Sequence, residues 1–197
     1  MNQKNILKSL AQNPLAILML GACPAMAQTG SVTAALGMGG AVLVVLVLSS
    51  ILISALRNLI PEKGQFLCHL IIVAGFACAV YMLMNALLPN VYNILGFHLA
   101  ILAVDLMEFW YAEEAGKNSV GKAFLASLVT GLLFALMLFI MGTVREIFGS
   151  GSFLGMEIPF LKTHTVSILT KAPGGFLVYA VIAAIVNKLA SGNKEVA

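Results

Sequence analysis

Cys23 lies between Gly21 and Pro24, at the end of a short apolar run, where the backbone turns and a thiolate can face a partner. Two thiolates from one chain cannot complete a four-ligand iron–sulfur site, so any cluster there needs donors from another subunit. The alternative is a structural cysteine that packs as a small hydrophobe. Asp105 is the second residue of interest. It is flanked by Leu102, Val104, Leu106 and Met107, where an ionised carboxylate is costly to bury, so it should be neutral, paired or functional. Three roles stay open for it: ending a membrane helix at the interface, serving an ion path, or ligating a metal. Glu108 follows one helical turn later on the same face and strengthens the polar-site reading. Cys68 and Cys78 form no CxxC pair and share one apolar stretch, which predicts small buried hydrophobes. His69, near the start of that stretch, reads as an interfacial or inter-helix hydrogen-bonding residue more than as a ligand.

The elements that must position these residues are membrane helices. Of 197 residues, 60% are hydrophobic and 10% charged, and the mean hydropathy is +1.00. A soluble domain of this length needs far more polar surface, so the fold class is an all-α polytopic membrane protein. The net charge of +3 is spread over loops and leaves no footprint for nucleic acid; lipid is the expected surrounding.

Residues 119–155 organise the chain. Ala123 to Val144 carries no charge, is long enough to cross a bilayer core of ~30 Å, and is followed by Arg145-Glu146 and a glycine–serine loop. The stretch has an echo: sliding Ser31 onward by 88 residues lays Ser31 on Ser119, Val32 on Val120, Ala35 on Ala123 and Arg57 on Arg145. Few side chains are identical, but each copy is an uncharged span that ends in an arginine, which suggests two related halves.

The remaining spans follow in order. Lys4 and Lys8 precede an apolar run that imitates a secretory signal, or a lipoprotein signal with Cys23 as the modified residue. The chain then passes directly into another span, so this segment is expected to stay attached as a short or broken first helix. The second span runs from Ser31 to Leu56, with Gly37, Gly39 and Gly40 expected to allow close helix approach. The third runs from about Phe66 to Leu88, before Pro89 and Asn90 break the chain. The fourth, Val91 to Val104, is too short to span and ends at Asp105; Trp110 and Tyr111 then have the chemistry of an interfacial belt. The sixth begins at Pro173-Gly174-Gly175 and finishes near Lys188.

An N-terminus in the cytoplasm puts Lys4, Lys8, Arg57, Lys63, Lys117, Lys122, Lys188 and Lys194 inside and only Arg145, Lys162 and Lys171 outside, as positive charge prefers. Three helices per half make the repeat inverted. The expected architecture is one membrane domain over residues 1–197, with half-repeats 10–90 and 91–190 forming a three-plus-three fold of six transmembrane helices. Shortened or broken helices one and four would mark the site, and they carry Cys23 and Asp105.

Val144–Gly155, VREIFGSGSFLG, strongly resembles a segment of the six-helix membrane subunits of the Rnf complex and of the sodium-pumping NADH:quinone oxidoreductase. NPLAILMLGACP at 13–24, ALGMGGA at 35–41 and ISALRNLIP at 53–61 agree, in order and spacing, over about residues 10–190. Within the family the motifs are most similar to the E-type member of the Rnf complex or its counterpart, the D-type member of the quinone oxidoreductase. The resemblance implies a homologous six-helix partner of opposite topology. It also implies a [2Fe-2S] cluster held between the two subunits by two cysteines from each. Cys23 matches the first of this chain's pair. The second belongs to a segment that here reads FHLAILAVD, with Asp105 where the family has cysteine. The arginine- and alanine-rich segment that follows in the family is replaced by EFWYAEEAG. An oxygen ligand is harder than a thiolate and should shift a cluster's potential.

The resemblance therefore implies a subunit, not catalytic alone, of an ion-translocating electron-transport complex in the bacterial cytoplasmic membrane. With its other membrane and soluble subunits, it would pass electrons across the membrane, coupled to Na+ or H+ movement. The alternative is a non-redox structural or ion-path subunit that has lost the cluster, with Asp105 as its polar centre. A free-standing transporter is a third reading, without a substrate motif.

Overall fold

Ser31 has extended backbone (φ −137°, ψ 155°), and its hydroxyl accepts the Ala34 N–H at 3.2 Å, starting the long helix α1 at Val32–Leu56. The computed structural model describes residues 29–60, 64–96, 98–101, 116, 119–153, 156–157 and 166–192. Helix α1 is rich in β-branched residues, yet in a bilayer an uncharged segment must satisfy its backbone internally, and a helix does so. Helix α2, Gln65–Leu87, stops because Leu88 precedes a proline and takes φ −132°, ψ 62°. Pro89 then opens the seven-residue helix α3, Pro89–Leu95. Gly96, at φ 49°, turns the chain out of α3 before the four-residue helix α4, His98–Ile101. The fourth apolar run is thus interrupted; its last residues, with Asp105, lie outside the described residues, as does the first run with Cys23.

Helix α5, Val120–Ser150, runs 31 residues, or ~46 Å at 1.5 Å per residue. Its end differs from the expectation that the span stops at Arg145: the helix continues past Arg145 and Glu146. Gly151, at φ 65°, finally caps it by donating its N–H to the Ile147 carbonyl. Both charged side chains are buried with polar partners, so the helix has no need to end where they begin. The expected glycine–serine loop contains a short antiparallel pair, β1 (Ser152–Phe153) with β2 (Met156–Glu157). A 3-10 turn, Ser167–Leu169, then leads into α6, Ala172–Gly192.

Among the described residues, α1, α2 and α5 are each long and apolar enough to cross a membrane. Helix α1 is their hub: Met38, Val42, Val45 and Ile53 are buried against Phe134, Leu138 and Met141 of α5 and Val73, Ala77 and Val80 of α2. The outer faces are equally apolar. Leu67, Ile71 and Met82 of α2 and Leu125, Val129 and Leu133 of α5 are exposed, as lipid-facing residues are. Cys78 is exposed and Cys68 half-buried, so neither is the core residue that the sequence suggested. In a membrane protein lipid is as apolar as the core, and an apolar stretch does not distinguish the two.

Helices α1 and α5 run antiparallel. A Cβ at Gly39 would lie 3.0 Å from the Cα of Ala135, one at Gly131 would lie 3.1 Å from Leu43, and one at Gly142 would lie 2.7 Å from the Cβ of Ala35. One of these contacts joins Leu43 to Gly131, the two residues that the 88-residue offset places on each other. Gly37 approaches Val91 and Leu95 of α3, whereas no described residue lies within 4 Å of the Cβ position of Gly40, against expectation.

Candidate functional site

Arg145 is wholly buried in the last turns of α5. Its planar guanidinium carries donors in a fixed fork, suited to several acceptors at once. Nε donates to the Leu169 carbonyl at 2.8 Å, and Nη2 donates to the carbonyls of Lys171 at 2.9 Å and Thr170 at 3.3 Å. Nη1 donates to Thr29 Oγ1 at 2.6 Å. The three carbonyls lie between the 3-10 turn and the start of α6; that of Lys171 also accepts the Gly174 N–H at 2.9 Å, so the guanidinium supplies donors to acceptors that the short turn leaves underused. A Cβ at Gly149, one turn beyond Arg145, would lie 2.7 Å from Thr170 Cγ2, so glycine there lets the turn lie against α5.

Glu146 faces the other way. Its carboxylate accepts the Val32 N–H at 2.6 Å, and the Ser152 hydroxyl lies 3.5 Å from its second oxygen. Negative charge at the positive end of α1 is favourable. One dipeptide thus joins four segments: α5, the start of α1 with Thr29, the turn before α6, and the β1 hairpin. These donors and acceptors are directed at backbone and hydroxyl groups, which makes the pair a clasp between segments. Burial also changes the charge pattern that the sequence reading used for topology: Arg145 lies buried within α5 and is not a loop charge.

Two further contacts hold the chain on its way to and from the Asp105 segment. The hydroxyls of Tyr81 on α2 and Tyr92 on α3 are 2.5 Å apart, with ring centroids at 5.2 Å and planes at 69°. They tie the interrupted run to α2. His69 is buried inside the bundle, against the residue that follows the acidic stretch: the Cβ position of Gly116 lies 3.6 Å from His69 Nε2 and 3.3 Å from Gln65 Nε2.

Cys23, Asp105 and Glu108 themselves lie outside the described residues, as do Trp110 and Tyr111. No group of three or more metal-binding side chains occurs among the described residues. Cys68 and Cys78 are ten residues apart on α2, ~15 Å along its axis, and cannot share one metal ion. The residue that sequence reasoning passes over is Thr29. The available signal is the Arg145-Glu146 pair directly after a long uncharged span, which by itself reads as an interfacial charge pair.

Comparison with known proteins places these features in a family. The family described as "Rnf-Nqr subunit, membrane protein" matches residues 3–183. The chain is 33% identical over 186 residues to the E subunit of the Na(+)-translocating ferredoxin:NAD(+) oxidoreductase complex of Acetobacterium woodii, covering 93% of this chain and 95% of that protein. It is 33% identical over 188 residues to the E subunit of the proton-translocating ferredoxin:NAD(+) oxidoreductase complex of Clostridium ljungdahlii, covering 94% and 88%. The E subunit of an ion-translocating oxidoreductase complex of Methanosarcina acetivorans is 36% identical over 180 residues, covering 89% of this chain and 84% of the relative.

Proposed function

The chain belongs to the Rnf-Nqr family of membrane subunits, and from that premise we propose that it is the E-type membrane subunit of an ion-translocating ferredoxin:NAD+ oxidoreductase complex. The observation that carries the reading is end-to-end similarity to proteins named as the E subunits of such complexes. Relatives at equal identity carry sodium in one name and proton in the other, so the reading is of a cation-coupled complex.

The finer reading is an inverted three-plus-three fold of six helices in the cytoplasmic membrane, beside a homologous subunit of opposite topology. Its support is the antiparallel α1–α5 seam, in which Leu43 and Gly131, residues that the 88-residue offset equates, come into contact. The interruption at Gly96 in the fourth run supports a broken helix leading to Asp105.

This chain would contribute Cys23 and Asp105 to a [2Fe-2S] cluster shared with that partner. The donor set fits in number and charge, two anionic ligands, with one hard oxygen in place of a soft sulfur. Such a group supplies one-electron transfer when bound. What the chain itself supplies is the anchoring of the segments on which the two donors lie: Thr29 held by Arg145 on one side, and the Tyr81–Tyr92 and His69–Gly116 contacts on the other. A second reading, a structural or ion-path subunit without a cluster, is favoured by the carboxylate at position 105, since a hard donor weakens a site built for thiolates.

Purification of the tagged chain from native membranes in mild detergent tests membership of the complex. Flavin-bearing and soluble iron–sulfur subunits should copurify with it, together with a homologous six-helix subunit. Recovery of the chain alone, from membranes in which those subunits are assembled with one another, would overturn the assignment.

A further inference from the structure

We infer that α3 is a hinged gate over one end of the groove between α1 and α2, seated on a static α1–α5 frame. This rests on the reading of the chain as a subunit of a cation-coupled complex, whose cycle needs a moving part. Helix α3 is only seven residues long and is bounded by two breaks. At its start, Leu88 leaves helical geometry (φ −132°, ψ 62°), and Pro89 has no N–H to continue the ladder of α2. At its end, Gly96 takes φ 49°, ψ −130°, with no described residue within 4 Å of its Cβ position. A glycine in that setting changes its backbone angles without moving a neighbour. Two hinges thus flank one short rigid piece, as they do in segments that gate.

The piece is seated on two sides. Val91 and Leu95 fill the notch at Gly37 of α1, and Leu95 is wholly buried. Toward α2, the Tyr92 hydroxyl meets that of Tyr81 at 2.5 Å. This latch is weak in net free energy, because water offers the same hydrogen bonds once α3 swings out. The frame has no comparable break. Helices α1 and α5 run unbroken over 25 and 31 residues. They approach to 3.0 Å between the Gly39 Cβ position and Ala135, and the Glu146–Val32 bond at 2.6 Å clasps them where α1 begins. Gly37 follows that clasp by little more than one helical turn, so the notch that receives α3 stands on the fixed side. One frame helix comes from each proposed half-repeat. The halves are therefore tied against rocking as whole bodies, and the movement falls to the interrupted run.

Paired cysteines test this in native membranes containing the assembled complex. The Cβ position of Gly37 touches a methyl of Val91, and that of Gly39 lies 3.0 Å from the Cβ of Ala135, so both pairs are within disulfide reach. Each double variant is oxidised and then reduced, and its ferredoxin:NAD+ turnover is compared between the two states, with wild type treated alike. The Gly37→Cys/Val91→Cys bridge should lower turnover at least about tenfold, reversibly, as a locked gate does. The Gly39→Cys/Ala135→Cys bridge should leave turnover within about twofold of the reduced form, because a static contact loses nothing by being tied. Full turnover with the first bridge formed would overturn the inference, and so would equal inhibition by the second. A further readout is the rate at which N-ethylmaleimide labels Val91→Cys in the same membranes, with Cys68 and Cys78 as references. Adding Tyr81→Phe removes the latch and should raise that rate at least about twofold, the low end of what one hydrogen bond is worth. An unchanged rate, or equal acceleration at both references, would also overturn the gate. Failure of the chain to copurify with a complex would remove the turnover assay and leave the labelling to decide, because labelling reads the chain itself.

Discussion

The Glu146 carboxylate receives the backbone N–H of Val32 at 2.6 Å, across 114 residues of chain. Its neighbour Arg145 binds a different set of groups, so the two charges of the dipeptide are separately testable. Glu146→Gln keeps an acceptor and removes the charge at the start of α1; it should cost about 1 kcal/mol, the size of a charge–dipole interaction at a helix end. Glu146→Ala should cost about 1–3 kcal/mol by leaving a buried donor unsatisfied. Arg145→Met removes this donor from the Leu169 and Thr170 carbonyls and the Thr29 hydroxyl and should cost more, about 3–5 kcal/mol, at ~1–3 kcal/mol for each buried polar group left unsatisfied. Thermal unfolding in detergent should rank Glu146→Gln, Glu146→Ala and Arg145→Met in that order of loss.

Adjacent glycines in α1 should respond in opposite ways. Gly39 meets Ala135 of α5, whereas Gly40 has nothing within 4 Å of its Cβ position among the described residues. Gly39→Val should cost about 1–3 kcal/mol through forced separation of the two helices. Gly40→Ala should be neutral or should stabilise the helix by up to about 1 kcal/mol through propensity. Equal tolerance at both positions would mean that α1 and α5 do not pack along this seam. Unfolding midpoints of the two variants decide it.

The boundaries of α1 and α2 are legible because a serine cap and a proline break coincide with the ends of uncharged runs. The end of α5 is not. Arg145 and Glu146 look like interfacial charges until their partners, Thr29, Val32 and residues 169–171, are known, and no local period encodes contacts that far away in the chain. The same limit separates Gly39 from Gly40, and Cys68 from Cys78. Helical periodicity places each on a face, but in a membrane both the core face and the lipid face are apolar. For Cys23 and Asp105 the family motif is informative where periodicity is silent, because it equates positions and not environments.

Antiparallel packing puts Arg57 and Lys122 at one end of the α1–α5 pair and Lys171 at the other. With an N-terminus in the cytoplasm, reporter fusions at Lys63 and Lys194 should report the cytoplasmic side and a fusion at Lys162 the opposite side. All three reporters on one side would overturn the inverted arrangement.

Asp105 is where the proposed redox and non-redox readings part, because the motif resemblance sets it in the place of a cysteine. As a ligand, its carboxylate would complete the pair begun by Cys23. Asp105→Cys should then retain or increase bound iron and move the cluster's spectrum and potential toward the all-thiolate kind. Asp105→Ala should lose iron, because one coordination position becomes empty. As an ion-path carboxylate, Asp105 should behave differently: Asp105→Asn should impair coupled ion movement and leave iron content untouched. The measurement is iron and acid-labile sulfide per complex, with electron paramagnetic resonance, in wild type and the three variants. A hard ligand replacing a soft one predicts a weaker site, so the Asp105→Cys complex should also keep its iron longer against a chelator. Wild-type complex with intact partner subunits but no iron at this subunit pair would end the ligand role. That outcome would leave the non-redox reading in front, and loss of coupled ion movement in Asp105→Asn would then separate an ion-path carboxylate from one that ends a membrane helix at the interface.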